Sequence, residues 1–245
     1  MKIILSPSKK QITDILDSKK SNTILFGNHT NKLFSYFKSL SKNDLQSTLK
    51  IKGQLLDKTY NLYQSSSVNN PGIEAINCYQ GVVFEQIYTE KYNLDQSAYL
   101  EQHLVILSAM YGALKSNTIM WPYRLDMTIK LKGIQLYDYW QKSVDEYFDN
   151  EDYIINLASN EFSKMIKRNK KKMINIYFQE EQEDKSLKTI SYNAKKSRGI
   201  MANILIINQV QDIREIKGYN IDGYIFNENL SDKFNYYFVK QRFST

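Results

Sequence analysis

The stretch KIILSPSKK, residues 2–10, sets the pattern from which the fold is read. Ile3–Leu5 is an aliphatic run long enough for a short buried strand, and Ser6, Pro7 and Ser8 then break it. Lys9 and Lys10 follow at once. The same order, an aliphatic run closed by serine, recurs in VILS ending at Ser108, INLAS ending at Ser159 and TIS ending at Ser191. Helical patterns lie between these segments. TNKLFSYFKSL (30–40) places Leu33, Phe37 and Leu40 on one face, and SKND (41–44) starts a further helix as a capping box with Asp in place of Glu or Gln. Residues 95–103 read as helix and run into LVIL (104–107), which fits either a strand or a continuation of that helix. QSSSVNNPG (64–72) is the clearest loop, internal to one domain, and residues 73–92 hold a short strand and a helix. YIINL (153–157) is a strand, and the helix of ASNEFSKMIKR follows it. MINIYF (173–178) and LKTISY (187–192) pair as a hairpin across QEEQEDKS, and GYIFNE and FNYYFVKQ close the chain as strands. Strands alternating with helices, with hairpins among them, predict an α/β domain with a mixed sheet.

The bulk numbers agree with a packed globule. A chain of 245 residues suits one large domain or two small ones, and 42% apolar residues with 19 Tyr and 11 Phe exclude disorder. No apolar run approaches the ~20 residues that a membrane helix requires. Ile3–Leu5 is too short for a signal peptide, and Cys78 is alone, so the expectation is a soluble cytoplasmic protein with no membrane partner. A net charge of +7 and a pI of about 9.1 favour polyanionic partners.

The placement of that charge is more informative. SYNAKKSRGIM (191–201) follows a strand pattern, and Ile200, Ile204 and Ile207 mark one face of a helix from Ala194 onward. Lys195, Lys196 and Arg198 then fall near its N-terminus, where the dipole disfavours cations. A shared anion resolves the conflict. In open α/β sheets, ligands gather beyond the carboxyl ends of the strands, where helix N-termini supply free N–H groups. If the four serine-closed ends converge, Ser6, Lys9, Lys10, Ser159, Lys195, Lys196 and Arg198 make a phosphate site. The plain alternative is that the serines cap helices and the lysines face water.

Other chemistry is poorly supported. His29 and His103 are far apart and lack Cys or carboxylate partners at ligand spacing, so no metal or cofactor is expected. Cys78, in AINCY, reads as an inert thiol in a buried strand. No nucleophile–base pair emerges, so no catalytic residue is assigned. KMIKRNKKK (164–172) packs six cations into nine residues, as a solvated helix end or a contact to DNA phosphates.

ILSPSK near the start, HLVILSAMYGALKSNTIMWPYRLDM (103–127), INLASNEF (155–162), YNAKKSRGIM (192–201) and GYNIDGYIFNE (218–228) together resemble the YaaA family of peroxide-stress proteins. The matching blocks run from Ser6 to about Lys240. The resemblance implies a single α/β domain of unusual topology, a mixed sheet surrounded by helices, a basic cleft and a helix-hairpin-helix-like element. It also implies binding of double-stranded or distorted DNA and a role in limiting iron-dependent peroxide damage. Carried over by position, the hairpin element falls at Met110–Lys115, with Gly112 admitting a phosphate and Lys115 supplying charge. Leu114 stands where a second glycine belongs. Tyr123 and Arg124 match a family block suited to a base and a phosphate, or else to a structural corner. The rival reading is an enzyme acting on a nucleotide or another phosphorylated small molecule at the same serines, lysines and arginine.

Overall fold

The computed structural model describes residues 1–13, 24–66 and 72–241. The chain opens with β1 (Lys2–Leu5), then α1 (Gly27–Ser39), α2 (Lys42–Leu49) and α3 (Gln54–Ser65). β2 (Ile73–Glu74), α4 (Ala75–Cys78), α5 (Leu94–His103), β3 (Leu104–Ser108), β4 (Gly112–Lys115) and β5 (Ile119–Met120) follow. The second half holds α6 (Leu136–Tyr147), β6 (Ile154–Asn156), α7 (Asn160–Ser163), β7 (Met173–Glu181), β8 (Leu187–Lys188), α8 (Ser191–Ile207), β9 (Ile225–Phe226) and β10 (Asn235–Lys240). Part of the loop expected at 64–72 lies outside the described residues, at 67–71; Gln64 and Ser65 end α3.

Most local signals act as anticipated. Ser41 caps α2 by accepting the Asp44 N–H at 3.2 Å. Asn93 and Gln96 form a reciprocal capping box at the start of α5, and at its end Leu104 turns extended, so LVIL begins a strand there. On α1, Leu33, Phe34 and Phe37 are buried together.

The strands form one mixed eight-stranded sheet in the order β4-β3-β1-β6-β7-β10-β9, with β8 also paired to β7. β3, β1, β6, β7 and β10 are mutually parallel, and β4, β8 and β9 join antiparallel. β2 and β5 make a separate antiparallel pair. From β1 the chain moves to β3 on one side, whereas from β6 it moves to β7 on the other. The connections therefore diverge between β1 and β6, and that is where an open α/β sheet leaves a crevice.

Several expectations need correcting. LKTISY does not continue as a strand to Tyr192: β8 stops at Lys188, and α8 already begins at Ser191. Lys195, Lys196 and Arg198 thus sit in the second turn and not at the dipole's positive end. Nor is the isoleucine stripe the buried face of α8; Ile207 is exposed, while Ala194, Ser197, Met201 and Leu205 face the core. Small residues win here because the helix is pressed against its neighbour. A Cβ on Gly199 would lie 2.2 Å from the Val83 carbonyl. Cys78 ends the helical turn α4 and is not in a strand, but it is buried, and burial pushes its thiol up to about 12.

Met110–Lys115 is the turn and second strand of a β-hairpin, not part of a helical one. Gly112 takes φ +74°, and a Cβ there would meet Trp140 at 2.7 Å and Phe26 at 2.8 Å. A helical hairpin does occur at α2–α3. It turns through Lys50–Gly53, with Lys50 at φ 54° and Gly53 at φ 60°, both left-handed. Ile51 is buried between exposed Lys50 and Lys52, so the turn holds two ammonium groups outward.

Candidate functional site

The parallel ends of β1, β3 and β6 do lie side by side, because the three strands are paired in register. Beyond them opens a cleft of about 850 Å³. Ser6 and Ser159 meet at its base across the β1–β6 divergence. The Ser6 hydroxyl accepts the Ser159 N–H at 2.7 Å and donates to Ser159 Oγ at 3.2 Å. These serines clamp the two strand ends together, and the Ser159 side chain makes no capping hydrogen bond to α7. Ser108, at the end of β3, is fully buried beneath them. Its Oγ accepts the Met110 and Tyr111 N–H groups and shares a 2.7 Å hydrogen bond with the Tyr123 hydroxyl, which is 3.0 Å from that of Tyr79.

Of the residues singled out in the sequence, Ser6, Lys9, Lys10 and Ser159 line the cleft from the strand ends, and Tyr123 and Arg124 line it from the following segment. Lys195 and Arg198 project into it from α8, together with Ser191, which opens that helix without ending a strand. Three do not line it. Lys196 is held by Asp222 at 2.9 Å, and that partner raises its pKa. Gly112 packs against Trp140, and Lys115 pairs across from Val105, toward the opposite end of β3 from the cleft.

Tyr123 is buried and its hydroxyl is engaged internally. Arg124 is anchored through its backbone: Tyr63 accepts its N–H at 3.2 Å and donates to its carbonyl at 2.8 Å. Arg124 also lines the cleft, while Tyr63 builds the corner through its backbone.

Two acidic residues escaped the sequence reading. Asp126 pairs with Lys9 at 2.8 Å, and Glu161 accepts the Met127 N–H at 3.0 Å. Burial, and then the neighbouring Asp126 charge, raise the Glu161 carboxyl above its ordinary value. The signal available was position: Glu161 lies two residues past a strand-closing serine. Against these two carboxylates the lining carries five cations, Lys9, Lys10, Arg124, Lys195 and Arg198. Arg198 is the most telling. Its Nε is buried without a hydrogen-bond partner among the described residues, and desolvation lowers its pKa, opposed by the nearby Tyr177. A half-buried guanidinium with an unpartnered Nε is partly desolvated, and an incoming anion would offset that cost.

Behind α7 lies a second, smaller hollow of about 450 Å³. Lys164, Lys167 and Lys170, half of the basic run, line it with Asn160 and Tyr177 and no carboxylate. The rest of the run is partly neutralised, since Arg168 pairs with Asp149 and Lys172 donates to the Asp149 carbonyl at 2.6 Å. His29 packs on Tyr139 and Trp140, and His103 stacks on Tyr99 with Nδ1 2.9 Å from the Met1 carbonyl. Among the described residues no three His, Cys, Asp or Glu side chains gather into a metal-binding group, and no helix is long and apolar enough to cross a membrane.

A mixed eight-stranded sheet flanked by helices, with a cleft at its divergence point lined by five cations and two carboxylates, places the chain among the open-sheet α/β proteins. The family model described as Peroxide stress protein YaaA matches residues 1–230, and the chain belongs to that family. It is 40% identical to a UPF0246 protein of Fusobacterium nucleatum over 248 residues, covering 98% of this chain and 99% of the relative. Similar proteins of Finegoldia magna (36% over 245 residues, 98% of each chain) and Rickettsia felis (34% over 250 residues, 98% of this chain and 100% of the relative) carry the same designation.

Proposed function

We propose that this member of the YaaA peroxide-stress family is a cytoplasmic DNA-binding protein that helps limit iron-dependent damage, gripping double-stranded or distorted DNA by its phosphates at the cleft. The observation that supports the reading is the excess of cations around one cleft, with the Nε of half-buried Arg198 left without a hydrogen-bond partner among the described residues. Phosphate contacts supply affinity without sequence readout. The α2–α3 turn adds a second contact, where the left-handed Gly53 lets the backbone approach a phosphate flanked by Lys50 and Lys52. The rival, chemistry on a phosphorylated small molecule, is less well supported. Ser6 and Ser159 hydrogen-bond to each other and to no base among the described residues, so neither hydroxyl is activated.

Anisotropy titrations of duplex and bubble DNA across a salt series test the reading, run beside thermal-shift screening of phosphorylated small molecules. Binding that weakens steeply with salt and varies little with sequence is expected. Absence of binding at low salt, with stabilisation by a phosphorylated metabolite, transfers the site to the rival.

A further inference from the structure

The cleft differs between its mouth and its depth. Lys9, Lys10 and Lys195 at the mouth are exposed. The depth is lined by Phe84, Leu125, Leu157 and Phe162, each less than a tenth exposed. Phe84 is held in place by stacking on Tyr79, with centroids 5.3 Å apart. A paired duplex offers the mouth its phosphates but has nothing that reaches this apolar depth. A volume of about 850 Å³ also far exceeds what a phosphate fills and falls within the range of small-molecule sites.

We propose that the cleft accommodates one unpaired nucleotide, its phosphate held by Lys10, Lys195 and Arg198 and its base laid against Phe84, Leu125 and Phe162. This rests on the anion-binding reading above and gives that site a ligand class: a nucleoside monophosphate unit, either free or extruded from a DNA strand. Flat aromatic and aliphatic walls suit a base of any identity, because every base has a π-face. Of the polar side chains in the lining, the buried Tyr123 hydroxyl is already committed. It is held by Ser108 and Tyr79 from behind the wall, so it reads base identity weakly. Extrusion is least costly at a mismatch or an already unpaired base, so distorted DNA is the preferred polymer.

The test uses the unaltered full chain and varies the ligand. Calorimetry compares adenosine monophosphate with ribose 5-phosphate. In parallel, 2-aminopurine is placed opposite a mismatch, in a bubble and at a paired position of otherwise identical DNA. The expected results are at least tenfold tighter binding of the nucleotide than of the sugar phosphate, and a rise in 2-aminopurine fluorescence on binding the mismatch or bubble. Equal affinity for nucleotide and sugar phosphate, with unchanged fluorescence in bound DNA, overturns the inference while leaving DNA binding intact. Tight nucleotide binding without DNA binding upholds the inference in its free-ligand form and removes the DNA reading.

Discussion

Arg198 places a positive charge where the folded chain gives it little in return. Its Nε is shielded from water and unpartnered among the described residues, and the nearest opposing influence is a tyrosine. Replacing it with methionine keeps the aliphatic packing and removes the desolvated charge. R198M is therefore expected to raise Tm by a few degrees, equivalent to about 1 kcal/mol, while anion affinity falls at least tenfold. Calorimetric melting beside DNA titration checks both signs at once; a destabilised variant with unchanged affinity would contradict the role given to Arg198. Glu161 makes the opposite case. Its folded pKa lies above the ordinary 4.5, so the folded chain binds this proton more tightly than the unfolded one. Its contribution to stability is present in full below 4.5 and is lost as pH rises through the folded value. Protonation also removes a negative charge from the cleft, so anion affinity should climb as pH falls through that same window. E161Q keeps an oxygen for the Met127 N–H and is expected to flatten the pH profile and to strengthen binding about threefold at pH 7, as one nearby repulsive charge is lost.

Two glycines set how neighbouring elements meet. Gly112 turns β3 into β4 at a positive φ under Trp140 and Phe26. G112A combines a strained backbone with overpacking and is expected to cost about 2–4 kcal/mol, without changing the DNA affinity of the fraction that folds. Urea unfolding and titration of the folded protein separate these effects; a selective loss of affinity would return the glycine to a phosphate-binding role. Gly199 presses α8 onto the Val83 carbonyl and so fixes where Arg198 and Lys195 enter the cleft. G199A must shift that helix, and both stability and affinity are expected to drop. The α8 boundary was misread because LKTISY alternates like a strand, whereas pairing for β8 is available only at Leu187 and Lys188. Propensity reports what a segment tolerates; a strand also needs a neighbour.

Charge across the molecule forms a path and not a point. The main cleft and the hollow behind α7 are separated by a single helical turn, whose Glu161 and Phe162 line one and whose Asn160 and Ser163 line the other. A strand leaving the cleft over α7 would meet Lys164, Lys167 and Lys170. Converting all three to alanine should leave the fold intact, as they are exposed, and reduce the slope of log affinity against log salt by about 2–3, near one unit per phosphate released. An unchanged slope would confine the footprint to the main cleft.

The mixed α/β sheet, three of the four strand ends followed by serine and the surplus of lysine were legible along the chain, because hydrophobic period, turn residues and charge are local properties. Which ends converge was not, since that depends on strand order: β1 lies between β3 and β6, and this adjacency joins Ser6 to Ser159 across 153 positions. The same holds for charge. Lys195, Lys196 and Arg198 are near neighbours in sequence, yet Asp222 takes Lys196 while the packing of α8 leaves the Arg198 Nε shielded and without a hydrogen-bond partner among the described residues. Local chemistry thus settled what kinds of groups the protein has to offer. Long-range packing settled which of them are neutralised and which remain for a ligand, because desolvation and pairing are set by neighbours that the chain order does not reveal.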